Sequence, residues 1–335
     1  MNNTFVIAEM SANHNHKLNV AIDTIKVAKK AGADAIKIQT YTADTLTLDC
    51  NKPDFCLTGG LWDGESFYSL YRKAYTPWVW HEEIFRVARE EGLVCFSTPF
   101  DKTAVDLLES LDNPIYKIAS FEITDIPLIK YIGSKHKPVI MSTGIAMEED
   151  IQLALDTLRG EGCNDITLLK CTSAYPAPIE DANLLTIPDM KKRFGCKAGL
   201  SDHTMGSIVP LAAVALGAEV IEKHFIIDRS IGGPDSEFSM EAAEFKSMVD
   251  GIRVVEKALG EVKYPTNPDQ IKGRTACRSL YVAEDVRVGD VVTEKNVRSV
   301  RPGFGLHPKF LPEVIGKRFL RSVTKGERFE LGMVE

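Results

Sequence analysis

The feature that most constrains the fold is an alternation of eight short β-rich runs with segments of helical periodicity in the first 260 residues. The runs are FVIAEMS (5–11), AIKIQT (35–40), LVCFSTPF (93–100), IYKIAS (115–120), PVIMSTG (138–144), ITLLKCTS (166–173), KAGLSDHT (197–204) and EVIEKHF (219–225). Strands that alternate with helices pair in parallel through right-handed crossovers, and eight such units close into a barrel. The sequence therefore predicts an α/β fold, a (β/α)8 TIM barrel, over residues 1–260.

The segments between the runs carry apolar residues at helical spacing. Residues 19–32 end at Gly32 and residues 148–160 end at Gly160, as expected where a glycine lies just past a helix. A longer segment at 240–260 follows the eighth run and predicts the helix that closes the barrel.

Two regions interrupt this alternation. Residues 41–79 form a long insertion after the second run, rich in glycine and tryptophan, and an insertion of this length is more often a functional lid than a spacer. Residues 261–275 are rich in proline and polar residues and predict a linker. Residues 276–335 hold short apolar segments separated by turns, which predicts a small, mostly β domain.

Composition excludes several classes of protein. The chain is 44% hydrophobic and 26% charged, which is typical of a globular protein, and its formal net charge is −7. Because nucleic acids and anionic membranes attract clustered basic residues, we expect neither as a partner. The sequence has no apolar run of the roughly 20 residues that a membrane span needs and no signal-peptide pattern, so we expect a cytoplasmic protein. The seven cysteines include no C-x-x-C pair and predict reduced thiols.

Two of the seven histidines stand at the ends of successive predicted strands. His203 follows Ser201 in GLSDHT and His224 follows Glu222 in EKHF, so the members of each pair share one face of their strand. The carboxyl ends of the strands form the active site in barrels of this kind. Two imidazoles there, completed by carboxylates and water, suit Mn²⁺, Fe²⁺, Zn²⁺ or Mg²⁺, whereas a single histidine would more often be a packing residue.

Lysines and hydroxyl residues accompany the histidines. A lysine in an otherwise apolar strand needs an anionic partner, and four of the runs carry one, at Lys37, Lys117, Lys170 and Lys223. Hydroxyl groups lie near strand ends at Thr98, Ser120, Ser142 and Ser201. This combination predicts a pocket for a small ligand with phosphate or carboxylate groups. Lys223 faces away from Glu222 and His224, and we expect it to extend along the outer helices toward solvent.

Motifs along nearly the whole chain resemble those of the sialic acid synthase family. They are AEMSANHN (8–15), KIQTY (37–41), FSTPF (96–100), YKIAS (116–120), MSTGIA (141–146), KCTSAYP (170–176), GLSDHT (199–204), EKHF (222–225), GGPDSEFS (232–239) and VRPGFG (300–305). The resemblance implies a TIM barrel joined to a C-terminal antifreeze-like (SAF) domain. It also implies an enzyme, a transferase that condenses phosphoenolpyruvate with an amino-sugar aldehyde to give a nine-carbon 2-keto acid.

The resemblance further implies a role for individual residues. It places His203 and His224 on a divalent metal, with Mn²⁺ expected and Mg²⁺ or Co²⁺ as alternatives. It assigns phosphoenolpyruvate to Lys37, Gln39, Thr98, Lys117, Ser120, Ser142 and Ser201. It assigns the sugar and its chemistry to Glu9, Ser173, Tyr175, Glu222 and Asp235, with Glu222 and Glu9 as the catalytic residues. Arg301 is implied to reach across a domain-swapped homodimer and cover the barrel of the partner.

Within the family, AEMSANH, GGLWD (59–63) and RPGFGLHPKF (301–310) are most similar to the branch that makes pseudaminic acid. The sugar substrate of that branch is 2,4-diacetamido-2,4,6-trideoxy-L-altrose. N-acetylneuraminate synthases have an asparagine in place of Ser173, which faces the sugar, and a glycine in place of His16. Synthases of N-acetylneuraminate or legionaminate remain alternatives, as do a metal-dependent phosphosugar aldolase and a non-catalytic sugar-binding protein.

Overall fold

The computed structural model of the chain describes residues 3–59, 62–264 and 267–335. Residues 60 and 61 of the GGLWD motif, and residues 265 and 266 of the expected linker, therefore lie outside the described residues. The chain divides into two compact units, Met1–Gly260 and Glu261–Glu335.

Eight parallel strands close the first unit into a barrel, which confirms the predicted (β/α)8 fold. They are β1 (Phe5–Glu9), β2 (Ala35–Thr40), β3 (Val94–Pro99), β4 (Tyr116–Ile118), β5 (Val139–Ser142), β6 (Ile166–Cys171), β7 (Lys197–Asp202) and β8 (Val220–Ile226). Each strand pairs with the next, and β8 returns to pair with β1. The register sets Glu9 beside Lys37 on one side and beside His224 on the other. Residues from three neighbouring strands thus meet at the carboxyl end of the barrel.

Helices follow most of these strands and cover the barrel. In the first unit they are α1 (Leu18–Lys30), α2 (Ala43–Leu46), α3 (Phe67–Ala74), α4 (His81–Glu90), α5 (Lys102–Ser110), α6 (Ile126–Gly133), α7 (Glu148–Gly160), α8 (Thr186–Phe194), α9 (Ile208–Ala215) and α10 (Ala242–Leu259). Within the described ranges, no helix combines the length and the apolar character needed to cross a lipid bilayer.

Two helix boundaries differ from the sequence prediction. Gly160 belongs to α7 rather than lying just past it, and the left-handed turn falls at Gly162, whose φ is 85°. The closing helix begins at Ala242 instead of Met240. Met240 and Glu241 form a two-residue strand, β9, beside β8, because Glu241 is extended and its backbone N–H donates to the Glu244 side chain in the first turn of α10 at 2.9 Å.

The insertion at 41–79 is a folded element. It contains α2, α3 and an isolated antiparallel bridge between Cys56 and Ser66. The indole N–H of Trp78 donates to the carbonyl oxygen of Tyr41 at 3.1 Å. These contacts anchor both ends of the insertion near the carboxyl end of β2.

The interior of the barrel changes from apolar to polar along the strands. One layer consists of apolar side chains that pack together, namely Ile7, Ala35, Phe96, Ile140, Leu169 and Val220. Because alternate residues of a strand share a face, the next interior positions on these strands are Glu9, Lys37, Thr98, Ser142, Cys171 and Glu222. The apolar layer therefore closes the barrel beneath a polar layer at its carboxyl end.

Lys223 does not extend toward solvent, so that expectation was wrong. Its ammonium lies 2.5 Å from Asp202 Oδ2, and both side chains are 2% exposed. Asp202 precedes His203 on β7 and Lys223 precedes His224 on β8, so the pair joins these two strands on the face turned away from the barrel interior. An ammonium next to an apolar core is tolerated here because a buried carboxylate pairs with it.

The second unit is small and mostly β, as the sequence predicts. It contains the antiparallel pair β10 (Ser279–Val282) and β11 (Val297–Val300), with short helices α11 (Pro268–Lys272) and α12 (Leu311–Val314). Isolated bridges such as Val286 with Val323 extend the pairing. Its own buried core includes Leu280, Val297, Phe319, Phe329 and Val334.

Candidate active site

Lys37 lies at the centre of a buried cluster of charges at the carboxyl end of the barrel. Its ammonium nitrogen is 2.7 Å from Glu9 Oε2 and 3.6 Å from Glu222 Oε1, and these three side chains are at most 6% exposed. It also donates to Thr98 Oγ1 at 3.4 Å. Burial acts to lower the pKa of Lys37, but Glu222 and Glu9 outweigh it and raise the pKa above its usual value. The two carboxylates thus keep this ammonium charged.

Lys117 is buried in a different environment. Its ammonium donates to Ser142 Oγ at 2.7 Å and to the carbonyl oxygen of Ile118 at 3.0 Å. No carboxylate lies within 4.0 Å of it in the part of the chain that the structure describes. Burial is the main reason that the pKa of Lys117 is lowered, although Glu222 opposes this effect. A phosphate or carboxylate group of a ligand would supply the negative charge that Lys117 lacks.

Hydroxyl groups form a close-packed cradle beside Lys117. Ser120 Oγ accepts from the Ile145 backbone N–H at 3.0 Å and from Ser173 Oγ at 3.1 Å. Gly144 makes this approach possible, because a Cβ atom at this position would lie 2.3 Å from Ser173 Oγ and 2.9 Å from Ser120 Oγ. The cradle therefore depends on a residue without a side chain.

The pKa values of the two carboxylates next to Lys37 are shifted in opposite directions. Burial acts to raise the pKa of Glu222, but Lys117 and Lys37 outweigh it and hold the pKa below its usual value. Ser201 Oγ donates to Glu222 Oε1 at 2.9 Å, while Glu222 Oε2 has no hydrogen-bond partner among the described residues. Burial raises the pKa of Glu9, with Lys37 opposing, and Gln39 donates to Glu9 Oε1 at 3.1 Å. Glu222 is thus the carboxylate and Glu9 the group that more readily holds a proton.

The two histidines lie beside this cluster with their ring centroids 5.3 Å apart. His203 Nδ1 is 2.9 Å from the carbonyl oxygen of Thr172, so Nδ1 carries the hydrogen and Nε2 has a free lone pair. His224 Nδ1 is buried without a hydrogen-bond partner in the described structure and lies 3.9 Å from Asp235 Oδ2. Burial lowers the pKa of both histidines, and the neighbouring His203 lowers that of His224 further. Both rings are therefore neutral.

These histidines fit a divalent metal with an incomplete set of protein ligands. Neutral imidazoles with free lone pairs are common metal ligands, and the unpaired Nδ1 of His224 is otherwise costly to bury. Across the described ranges, no group of three or more histidine, cysteine, aspartate or glutamate side chains is arranged to hold a metal ion. The site therefore suits an ion that takes its remaining ligands from water or substrate.

Aromatic rings cover the histidines on the outer side. The ring centroid of Tyr175 lies 4.5 Å from that of His203 and 5.2 Å from that of Phe238. Asp235 Oδ2 accepts from the backbone N–H of Ala12 at 3.2 Å, and burial raises the pKa of Asp235. Tyr175 and Asp235 thus lie next to the histidine pair, where the sequence resemblance implies the sugar.

Three further residues of this region were given no individual role from the sequence. Phe238 packs against His224 at 5.0 Å between ring centroids, and Trp62 of the insertion packs against Tyr175 at 6.0 Å. Glu122 follows Ser120 by two residues in YKIASFE, and burial raises its pKa to about 7. The position of Glu122 just past a strand could have identified it as a candidate site residue. Nothing in the sequence predicts that Trp62 packs beside Tyr175.

The structure brings together the barrel residues that the sequence singled out. The charged, hydroxyl and imidazole groups described above form one contiguous cluster around Lys37, Lys117 and the two histidines. Lys170 instead donates to the carbonyl oxygen of Cys171 at 2.7 Å. Arg301 belongs to the second unit, where it follows β11 and is exposed.

A cavity of about 620 Å³ lies at the opposite, amino-terminal end of the barrel. Its lining includes Phe5, Val139 and Val220, the first residues of β1, β5 and β8. The lysines there are already paired, since Lys191 is 2.6 Å from Glu219 and Lys197 is 2.9 Å from Asp165. The buried polar atoms without a hydrogen-bond partner in the described structure, such as Glu222 Oε2 and His224 Nδ1, lie at the other end.

Two family models match the chain, one mainly within each of the two units of the structure. Residues 24–264 match the NeuB family, and residues 278–335 match the SAF domain. The second match confirms the antifreeze-like domain that the motifs imply, within the small β unit.

Individual relatives cover nearly the whole chain. A pseudaminic acid synthase of Campylobacter jejuni is 50% identical over 323 residues, which are 96% of this chain and 94% of that protein. A pseudaminic acid synthase of Helicobacter pylori is 48% identical over 95% of both chains. Among solved structures, an N-acetylneuraminic acid (sialic acid) synthetase of Leptospira borgpetersenii in complex with citrate is 31% identical. It has a TM-score of 0.73 over 81% of this chain and 90% of that chain.

We expect Gly144→Ala to lower kcat/KM roughly 10- to 100-fold, because the new methyl group must displace Ser173 and Ser120 from the cradle. The matched control is Gly160→Ala, which adds the same group at the end of α7, where nothing lies within 4 Å. The control should retain full activity. Steady-state kinetics of the two purified variants test this, and equal kcat/KM values would show that the cradle has no functional role.

Proposed function

This chain belongs to the NeuB family, the sialic acid synthase family that its motifs predict, and we propose that it makes pseudaminic acid. The reaction condenses phosphoenolpyruvate with 2,4-diacetamido-2,4,6-trideoxy-L-altrose and releases inorganic phosphate. Two pseudaminic acid synthases are 50% and 48% identical to this chain over nearly its whole length, which supports this branch of the family. The structural observation that carries the proposal is that Lys117, which lacks a carboxylate partner in the described structure, lies in one cluster with two neutral histidines.

Phosphoenolpyruvate is proposed to bind on the lysines and the hydroxyl cradle. Its negative charges suit Lys117, which has no carboxylate partner among the described residues. The charge of Lys37 is already balanced by Glu9 and Glu222, so Lys37 would contribute an N–H donor. The remaining contacts would come from Gln39, Thr98, Ser120, Ser142 and Ser201. These are the positions that the resemblance assigns to this substrate, and their supply of N–H and O–H donors fits an anionic ligand.

His203 and His224 are the residues proposed to hold a divalent metal, with Mn²⁺ preferred and Mg²⁺ or Co²⁺ as alternatives. Their neutral rings and the unpaired Nδ1 of His224 support this assignment. Such an ion supplies Lewis acidity, which draws electron density away from an aldehyde oxygen.

The bond-forming step is proposed to join C3 of phosphoenolpyruvate to the aldehyde carbon of the sugar. Positive charge then develops at C2, next to the Glu222 carboxylate. Glu9, whose pKa burial raises, is the proposed donor of a proton to the aldehyde oxygen. Lys37 lies between the two carboxylates and keeps Glu222 ionised while Glu9 changes its charge.

The second step is proposed to add water to C2, with Glu222 as the base that takes its proton. The Glu222 pKa is held low by Lys117 and Lys37. A bound phosphate shares the charge of those lysines, so it raises the proton affinity of Glu222 when a base is needed. The tetrahedral carbon then loses phosphate by cleavage of its C–O bond, which leaves the 2-keto acid.

The sugar is proposed to lie against Tyr175, Ser173 and Asp235, beyond the histidines. A 6-deoxy sugar has a methyl group where N-acetylmannosamine has a hydroxymethyl group, so it suits a more apolar wall. The packed rings of Tyr175, Phe238 and Trp62 would provide that wall.

We also propose that the protein is located in the cytoplasm, because its seven cysteines include no C-x-x-C pair and are expected to be reduced.

The active form is proposed to be a domain-swapped homodimer in which Arg301 covers the partner's barrel. This proposal rests on the family resemblance of VRPGFG (300–305). The exposed guanidinium of Arg301 is available for such a contact. In a symmetric dimer, each SAF domain would serve the opposite active site.

A direct competition assay tests the proposed substrate. We expect phosphate release from phosphoenolpyruvate with 2,4-diacetamido-2,4,6-trideoxy-L-altrose and little with N-acetylmannosamine. The diacetamido sugar expected for legionaminate completes the panel. A preference for N-acetylmannosamine would place the chain in the neuraminate branch, and no phosphate release with any sugar would contradict a synthase.

Two substitutions test the proposed metal site and the proposed general base independently. His203→Ala should abolish turnover and weaken Mn²⁺ binding measured by calorimetry, because one imidazole ligand is lost. Glu222→Gln should keep Mn²⁺ binding and lower kcat roughly 10²- to 10⁴-fold, the usual loss for one general acid or base. If Glu222→Gln turned over at the normal rate, the base would be another group. Normal Mn²⁺ binding by His203→Ala would remove that residue from the metal site.

Mixing two inactive variants tests the swapped dimer. Arg301→Ala and His203→Ala are combined under conditions that allow subunits to exchange. If Arg301 acts on the partner, each heterodimer has one site with both lesions and one intact site, so activity should recover toward half per heterodimer. If Arg301 acts on its own barrel, every site keeps one lesion and the mixture stays inactive.

A further inference from the structure

The indole N–H of Trp62 is a buried donor without a partner in the described part of the chain. Its Nε1 atom is shielded from water and has no hydrogen-bond partner within the described residues. Trp78 of the same insertion shows the usual situation, since its indole N–H donates to the Tyr41 carbonyl. Buried N–H groups are nearly always bonded in native proteins, and one that is not bonded calls for a specific explanation.

Trp62 lies at the outer edge of the proposed sugar site. Its ring centroid is 6.0 Å from that of Tyr175, and Tyr175 in turn lies 4.5 Å from His203 and 6.4 Å from His224. Tyr175 thus contacts the histidine pair directly, whereas Trp62 is one ring farther out. The ring that carries the unpaired donor is therefore near the proposed sugar site but farther from the histidines than Tyr175 is.

Hydrogen bonds within the insertion hold Trp62 in this position. The Leu57 N–H donates to the Glu65 carbonyl at 2.8 Å, and the Gly64 N–H donates to the Leu57 carbonyl at 3.0 Å. The Glu65 N–H donates to the carbonyl of Trp62 itself at 3.1 Å. Lys73 lies 2.8 Å from Glu65 and ties this turn to α3. The indole is thus presented by a bonded frame, as a preorganised binding group would be.

We propose that the Trp62 indole N–H donates to the carbonyl oxygen of the C4 acetamido group of the sugar, which makes Trp62 a specificity-determining residue. The inference rests on the proposed function. If the aldehyde carbon C1 is at the histidines, the C2 acetamido group would lie next to the reacting carbon and beside Tyr175. The C4 acetamido group, two carbons farther along the chain, would then lie toward Trp62. An amide carbonyl is a strong acceptor and satisfies the unpaired donor.

The test compares two sugars in the wild-type enzyme and in Trp62→Phe, which keeps an aromatic ring but removes the donor. One sugar is 2,4-diacetamido-2,4,6-trideoxy-L-altrose, and the other has a hydroxyl group in place of the C4 acetamido group. We expect Trp62→Phe to reduce the preference for the diacetamido sugar about tenfold, the effect of one neutral hydrogen bond. The KM for phosphoenolpyruvate should not change. Because the preference is a ratio, it does not depend on the fraction of enzyme that is folded.

Trp78→Phe is the matched control, since it removes an indole donor that is already bonded to the protein. It should leave the ratio of kcat/KM values for the two sugars unchanged. If Trp62→Phe lowers kcat/KM equally for both sugars, Trp62 contributes to the shape of the pocket but does not recognise the C4 acetamido group, and the inference is wrong. If the wild-type enzyme does not use the diacetamido sugar, the proposed function itself fails, which the wild-type assay alone reveals.

Discussion

The ion pairs of Lys37 with two buried carboxylates are the interaction on which the rest of the site depends. Glu9 and Glu222 keep this buried ammonium charged. Burial raises the pKa of Glu9, whereas Lys117 and Lys37 together hold that of Glu222 below its usual value. Lys117 is buried nearby without such a partner among the described residues and is left to a ligand. The charge of Lys37 is thus balanced within the protein, whereas Lys117 is available to a ligand.

The barrel makes this arrangement possible because its interior is layered. Apolar side chains such as Ile7, Phe96 and Leu169 exclude water below the charges. Electrostatic interactions are stronger where water is excluded, so each charge in the layer above has a large effect on its neighbours. Behind the histidines, the pair of Asp202 with Lys223 joins β7 to β8 and holds the two strands that carry His203 and His224 in register.

Most of the fold could be predicted from the sequence because it follows from short-range periodicity, whereas the roles of individual site residues came from the resemblance to a family. Alternation along each strand is enough to set residues such as Lys37 and Glu222 on an interior face. Helix ends were less predictable, since Glu241 caps α10 from an extended conformation that periodicity does not reveal. Contacts between distant segments leave no periodic signal, which is why the partner of Lys223 and the position of Trp62 beside Tyr175 were missed.

The apolar layer also means that the site opens only at the carboxyl end of the barrel. The packed side chains of Ile7, Ile140 and Val220 close its floor toward the amino-terminal end, so molecules must enter and leave by the same mouth. The lysines lie nearer this floor and the rings of Tyr175 and Phe238 lie nearer the mouth. In the proposed assignment, a ligand on the lysines would therefore bind before the sugar. The same ligand would leave only after the sugar site is vacated, so binding and release would follow a fixed order.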